Sequence, residues 1–342
     1  MKKYIYIISL LLISCQEEIT LDLPKADDKL VIEGSIENGF PPYIIITNNQ
    51  GYFDPIDSVT YTNLFLTNVD SVKIWYFNDG IKILKTLQKI DGLDSLPPIY
   101  TDIDHLESQF SQEELIPYDF SKSGRTYYLE IKWNNQIISS STTIPEVTPL
   151  DCLWVEKSEN GKKDYMYDIR ALYSDPIDQN NNILIKSKRV QHYEINRKDT
   201  LSCKIINYPD FSLKLIDAGS DILINGQTFE TYFPRPRESG FPYGSYNTNR
   251  VEMCGDDSLA INKDIVLIKF CQIDEPSLKF WRGLRRQAGN NGNPFAEPMN
   301  LVSNINNGLG VFTGYGATYY LVPIRDTVIY DEYSKLNILD IF

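Results

Sequence analysis

The chain of 342 residues carries 46 Asp plus Glu against 33 Lys plus Arg, a formal charge of -13. This argues against a general nucleic-acid binder, which needs a basic face to displace counterions. Hydrophobic residues make up 42% and charged residues 23%, the balance of a folded body, and the two histidines, His105 and His192, exclude multi-histidine metal sites.

Lys2 and Lys3 precede an apolar run from Tyr4 to Ile13. Ten residues of helix rise about 15 Å, half the roughly 30 Å of a bilayer core, so residues 1–14 read as a cleaved signal. The run ends on Leu12-Ile13-Ser14-Cys15, which resembles a bacterial lipobox. Its thiol would be alkylated by diacylglycerol, and the small Ser14 would admit the peptidase. An ordinary secretory signal with a chance cysteine is the alternative. Acyl chains on Cys15, palmitate among them, would hold the protein to a membrane. Gln16, Glu17 and Glu18 form an acidic start that resembles the surface-export signal of Bacteroidetes lipoproteins; a solvated leash is the plainer reading. Residues 15–28 are expected to be a flexible tether.

The stretch 29–145 alternates as strands do. Lys29 to Ile36 is followed by Asn38-Gly39, a turn signal. Tyr43 to Thr47 is a short β-rich run. Ser71 to Phe77, Asp79-Gly80 and Ile81 to Leu87 make a hairpin. Thr126 to Trp133 sets Tyr127, Leu129, Ile131 and Trp133 on one face, and Gln136 to Ile144 follows. Short strands separated by turns predict an immunoglobulin-like β-sandwich. Tyr100 to Leu115 reads as an acidic surface insertion with a helical turn, carrying a solvated His105.

Pro145 and Pro149 bracket a linker, and a second β-rich domain is expected over 150–342. Candidate strands are Leu153 to Lys157, Asp164 to Tyr173, Ile183 to Ile195 and Asp264 to Ile273. Asn225-Gly226 predicts a hairpin between Ile222–Ile224 and Thr228–Phe233. One amphipathic helix is expected near 276–288: Pro276 suits its first turn, Gly289 its end, and Leu278, Trp281 and Leu284 share a stripe. Its Lys279, Arg282, Arg285 and Arg286 read as a solvated face, with an acidic partner as the alternative. A last strand spans Val311 to Val322. The whole chain is therefore expected to be mainly β.

Catalytic signatures are missing: no G-x-S-x-G, H-E-x-x-H or Walker loop occurs, and Gly308-x-Gly310 lacks the third glycine of a dinucleotide loop. No cofactor or resident metal is expected. Asp175, Asp178, Asn180 and Asn182 form an oxygen-rich loop, read as polar rather than as a Ca²⁺ site because EF-hand spacing is lacking. Cys152, Cys203, Cys254 and Cys271 remain after Cys15. An exported location permits disulfides; Cys203–Cys254 is the first choice, and buried free thiols are the alternative. The segment between them is rich in Tyr, Phe and Arg, residue types favoured in binding hot spots. Tyr232, Arg235, Arg237, Phe241, Tyr243 and Tyr246 form the candidate binding surface; an ordered loop packed on its own domain is the alternative.

Three patches carry a family resemblance: Cys15 through Lys29-Leu-Val-Ile-Glu-Gly-Ser-Ile36, the helix Pro276 to Gln287, and Asn293 to Pro298 leading to Ser303-Asn-Ile-Asn-Asn-Gly-Leu-Gly-Val-Phe312. Their order resembles a Bacteroidetes outer-membrane lipoprotein family known as a domain of unknown function and associated with TonB-dependent receptors. The resemblance implies a lipid-anchored, cell-surface location at the outer membrane. It also implies a receptor-barrel partner and an accessory role in nutrient uptake, capturing or capping a ligand of unknown identity. It brings no catalytic residues. An adhesive or structural surface lipoprotein is the second reading, and a surface hydrolase the third.

Overall fold

The computed structural model describes residues 27–50, 57–65, 68–90, 97–110, 116, 118–157, 167–177, 179, 181–195, 204–209, 213–221, 225–233, 265–289, 301–323 and 329–330. The protein is mainly β. Strands β1 (Leu30–Glu37) and β2 (Phe40–Asn48) form a hairpin, and its turn holds Gly39 at φ 80°. Next come helix α1 (Ser58–Phe65), β3 (Ser71–Asn78), β4 (Ile81–Lys89), β5 (Ile99–Thr101), α2 (Ile103–Phe110), β6 (Thr126–Trp133) and β7 (Gln136–Thr143). Beyond the Pro145–Pro149 stretch lie β8 (Cys152–Lys157), β9 (Tyr167–Ser174), β10 (Asn182–Ile195), β11 (Lys204–Pro209), β12 (Lys214–Ser220) and β13 (Thr228–Phe233). The last described elements are β14 (Ile265–Ile273), α3 (Glu275–Gly289), β15 (Leu309–Pro323) and β16 (Ile329–Tyr330).

Among the described residues, twelve strands form one hydrogen-bonded path, β11-β10-β14-β15-β1-β2-β5-β4-β3-β6-β7, with β12 also on β10. The path bends at β5, which meets β4 only at Gln88↔Thr101 and Lys89↔Tyr100. The bend lays β4-β3-β6-β7 over β2-β1-β15 as two leaves of a sandwich. Ile32, Ile36, Ile44 and Ile46 from one leaf pack against Val72, Ile74, Tyr127, Leu129 and Ile131 from the other, every second residue of each strand, as strand geometry requires. Tyr127 at the start of β6 donates its hydroxyl to the Phe120 carbonyl at 2.7 Å and accepts from the Lys122 amide at 2.8 Å, pinning the preceding corner.

Beyond the sandwich, β14 is covered on both faces. Val266, Ile268 and Phe270 of β14 face the smaller sheet β13-β9-β8-β16 through Val155, Ile169, Tyr173 and Phe233. Cys271 and Ile273 face α3 through Leu278 and Trp281. The helix begins where expected because Asp274 caps it, accepting the Ser277 amide at 3.0 Å. Its opposite face is solvated, as read from the sequence: Arg282, Arg285 and Arg286 are exposed, and Lys279 pairs with Glu275 at 2.7 Å.

Several local expectations are revised. Tyr100 to Leu115 is not simply an insertion: it opens with β5, which joins the two leaves, and the Thr101 hydroxyl donates to the Pro42 carbonyl at 2.7 Å. Three helices stand among the described residues: the expected one near 276–288, one where Tyr100 to Leu115 offered a helical turn, and an unexpected one at Ser58–Phe65. Asn225-Gly226 is a turn, with Gly226 at φ 71°; Ile222–Ile224, the first arm of the expected hairpin, lie outside the described residues, and the second arm, β13, pairs with β9. The buried cores divide near the Pro145–Pro149 linker, yet Ile305 and Phe312 belong to the N-terminal core, and β15 runs parallel to β1 from Val31↔Leu309 to Glu37↔Tyr315.

Residues 303–316 make that pairing possible. Asn304 holds β15 bidentately, its amide nitrogen donating to the Phe312 carbonyl at 2.8 Å and its oxygen accepting the Phe312 amide at 2.9 Å. Asn306 bridges to Ser139 of β7, and the Asn307 side chain donates to the Ile137 carbonyl at 3.0 Å. A Cβ on Gly310 would lie 2.0 Å from the Ile32 carbonyl oxygen, and one on Gly314 2.4 Å from that of Thr143. Gly310 also sits at φ 103°. The motif is therefore a structural turn feeding β15. Gly310→Ala should cost about 2–4 kcal/mol from strain plus clash. Gly39→Ala, which meets nothing within 4 Å, should cost about 1 kcal/mol. Denaturant midpoints of the two variants check this, and equal losses would refute the clash.

Candidate functional site

One end of the sandwich opens into a cleft of about 590 Å³. β1 starts there, β2 ends there and β6 turns into β7. Asp28 and Lys29 line it just ahead of β1, and Asn48, Asn49 and Gln50 line it from the end of β2. Asn63 and Leu64 of α1, with Trp133, Asn134 and Gln136 of the β6–β7 hairpin, complete the wall. Asn134 and Asn135 both take positive φ, 48° and 62°, as a two-residue hairpin turn demands.

Some of these amides build the cleft. Asn49 accepts the Lys29 amide at 2.9 Å and donates to the Asp27 carbonyl at 2.8 Å. Asn48 donates to the Asn63 carbonyl at 2.9 Å, holding α1 beside β2. The side-chain amides of Asn63, Asn134 and Gln136 have no hydrogen-bond partner among the described residues. Half-buried Trp133 packs against the sandwich core. The cleft thus combines neutral donors and acceptors with one large aromatic surface.

A second polar group lies inside the fold, beneath α3. Glu37 and Lys269 form a buried ion pair, 8% and 6% exposed at their side chains. Burial would lower the Lys269 pKa, but the Glu37 carboxylate outweighs it and raises it well above the ordinary value. Tyr315 and Tyr319 lie 4.4 and 5.4 Å from the Lys269 nitrogen, and burial drives both phenols upward. Lys186 sits 4.1 Å over the Trp281 ring, and among the described residues no carboxylate stands in ion-pair range of it. Burial, then the neighbouring Lys269 charge, lower its pKa to about 8. The Cys271 thiol is pushed up to about 12, first by burial.

The remaining titratable groups are structural. Asp102 caps α2, pairs with Lys85 and accepts the Tyr118 hydroxyl at 2.7 Å. Burial would raise its carboxyl, yet the Lys85 and Tyr118 hydrogen bonds together hold it below the ordinary value. His105, expected in solvent, is instead half-buried with its ring 4.6 Å from that of Tyr118, because α2 lays it on the sandwich. Asp175 of the oxygen-rich loop accepts from Tyr173 at 3.3 Å, Asn181 at 3.2 Å and the Gly226 amide at 3.0 Å. It is a loop fastener. Among the described residues no His, Cys, Asp and Glu gather as a metal site.

Of the residues singled out from sequence, Tyr232 lies on β13 and is 52% exposed. Arg235, Arg237, Phe241, Tyr243 and Tyr246 lie outside the described residues, as do Cys15, Gln16, Glu17, Glu18, Cys203 and Cys254. Cys152 and Cys271 are free thiols. The cleft residues were not singled out. Their signal was two amide runs, Asn48-Asn49-Gln50 and Asn134-Asn135-Gln136, the second following Trp133.

Two outcomes follow from the buried groups. Between about pH 8 and the ordinary lysine value, the unfolded chain holds a proton on Lys186 that the folded chain has released. Stability should therefore rise with pH across that window, and Lys186→Met should flatten the rise in thermal midpoints. Under native conditions a thiol reagent should label Cys152 well before Cys271; equal rates would contradict the burial of Cys271.

A family profile described as "Domain of unknown function (DUF4249)" matches residues 16–320. No curated protein matches. Among solved structures, Salmonella alpha-2-macroglobulin reacted with methylamine aligns with 76% of this chain and 14% of its own, at 9% identity and a TM-score of 0.21. A point mutant of that protein aligns over the same shares at 9% identity and a TM-score of 0.22. The chain thus spans only a small part of those proteins' length, and at such scores they add nothing to the account of the site. The match over residues 16–320 shows that the chain belongs to the DUF4249 family.

Proposed function

We propose that this protein is a surface-exposed, lipid-anchored outer-membrane protein that captures ligand as the accessory subunit of a TonB-dependent nutrient-uptake receptor. The observation that carries the reading is the position of the cleft: Asp28 and Lys29, where the tether meets the fold, line its wall. A tether entering the fold at Asp28 would therefore do so at the cleft's end of the sandwich. A tether from Cys15 to Asp28 reaches at most about 45 Å, so a captured ligand stays within a short distance of the membrane and any barrel in it. The family match supports the lipoprotein reading, since it begins at residue 16, directly after Cys15. The Tyr127 hydroxyl corner supports an immunoglobulin-like reading of the sandwich, because the same device ties the corner of such domains.

A detergent pull-down of the full chain from its native outer membrane should retain a receptor barrel; a protein recovered without one overturns the accessory role. Cys15→Ala should leave the membrane fraction after a high-salt wash. Replacing Glu17 and Glu18 together by Ala should protect the protein from protease added to whole cells, and unchanged digestion would remove the export signal from the account.

A further inference from the structure

We infer that the cleft binds a neutral, hydroxyl-rich ligand, an oligosaccharide, through the Trp133 ring and the free amides of Asn63, Asn134 and Gln136. The inference rests on the ligand-capturing reading above and names what is captured.

Charge is the first argument. The protein is strongly acidic, at -13, yet the cleft wall is dominated by uncharged amides, and its Asp28 and Lys29 offset one another. Such a wall carries no net charge of its own with which to pair an anionic or cationic ligand. Hydrogen-bonding capacity is the second. Each amide presents two donors on nitrogen and two acceptor positions on oxygen. A sugar hydroxyl both donates and accepts, so a ring of amides can satisfy adjacent hydroxyls on one pyranose. Asn49 and the Asn48 nitrogen are already held by the backbone of Asp27, Lys29 and Asn63. The lip is thus rigid, while Asn63, Asn134 and Gln136 keep their capacity for a guest. Shape is the third. The Trp133 indole, anchored in the core on one side, offers its apolar surface to the C–H face of a sugar ring, a contact that is independent of charge. A volume of about 590 Å³ lies within the range of small-molecule sites and admits a few sugar residues.

An apolar ligand would leave three amides unsatisfied on binding, and a peptide would set its charged termini against a neutral wall. Both fit the lining less well than a saccharide.

The test uses the full chain extracted in detergent and titrated calorimetrically with maltohexaose, cellohexaose, xylohexaose, mannohexaose and chitohexaose, with an oligogalacturonate as the anionic control and a neutral hexapeptide as the apolar one. At least one neutral oligosaccharide should bind, quench tryptophan fluorescence and keep its affinity from low to high salt. Asn134→Gly, which keeps the positive φ of the turn, combined with Gln136→Ala, both at exposed positions, should weaken that binding by about tenfold while leaving the thermal midpoint in place. Trp133→Ala should abolish it; because that variant touches the core, Asn63→Ala provides the independent check on the third amide. Failure of every neutral sugar to bind overturns the inference, as does tighter binding of the oligogalacturonate or the hexapeptide, or binding that ignores the amide substitutions. The barrel pull-down separates the two readings: a barrel retained without sugar binding sinks only the oligosaccharide, whereas sugar binding without a barrel sinks only the receptor role.

Discussion

The backbone of β15 lies against the backbones of β1 and of the chain leaving β7 with no room for a Cβ at Gly310, Gly314 or Gly316. This contact is the constraint on which the other arrangements rest. It lets one long strand finish the N-terminal sandwich through Phe312 and serve the helix-covered core through Val311, Tyr315 and Ala317. Side chains of alternate residues point to opposite faces, so a single strand supplies two cores at once. The preceding turn also fixes β7, through Asn306 on Ser139 and Asn307 on Ile137. β7 in turn carries the hairpin that presents Trp133, Asn134 and Gln136. The Asn306-Asn307-Gly308 turn is therefore architecture, and it shapes the cleft from a distance.

The buried charges follow the same logic. Glu37 on β1 and Lys269 on β14 stand on the two strands that flank β15. Removing one partner would strand the other charge in the interior, which is far costlier than never having had the pair. Lys186 differs, since its charge meets an aromatic face rather than a carboxylate. The interior thus holds its ionisable groups in protonation states suited to packing. The groups left open to a guest are uncharged ones at the sandwich end.

Much of this architecture was legible in the sequence where a strand obeys a period of two. Ser71 to Phe77, Thr126 to Trp133 and Ile183 to Ile195 all fall on observed strands, and the helix stripe of Leu278, Trp281 and Leu284 faces the core side. α1 was hidden because Val59, Thr60 and Thr62 are β-branched and disfavour helix. β5 was hidden because three residues cannot display a period. The parallel pairing of β1 with β15 joins segments at opposite ends of the chain, and no local pattern encodes that. The cleft was illegible for a related reason: its residues come from four separated stretches, and each alone reads as an ordinary polar turn.

The ladder around β1 has a mechanical meaning. β1 is the first strand among the described residues, and it is held on one side by β2 and on the other by β15 along nearly its whole length. A pull transmitted through an anchored N-terminus would run along the strand axis, so both ladders would be loaded in shear. Their hydrogen bonds would then resist together instead of parting one at a time, as they do when a hairpin is peeled open. Load applied at this end would therefore fall on the part of the fold best built to carry it, the two ladders that grip β1.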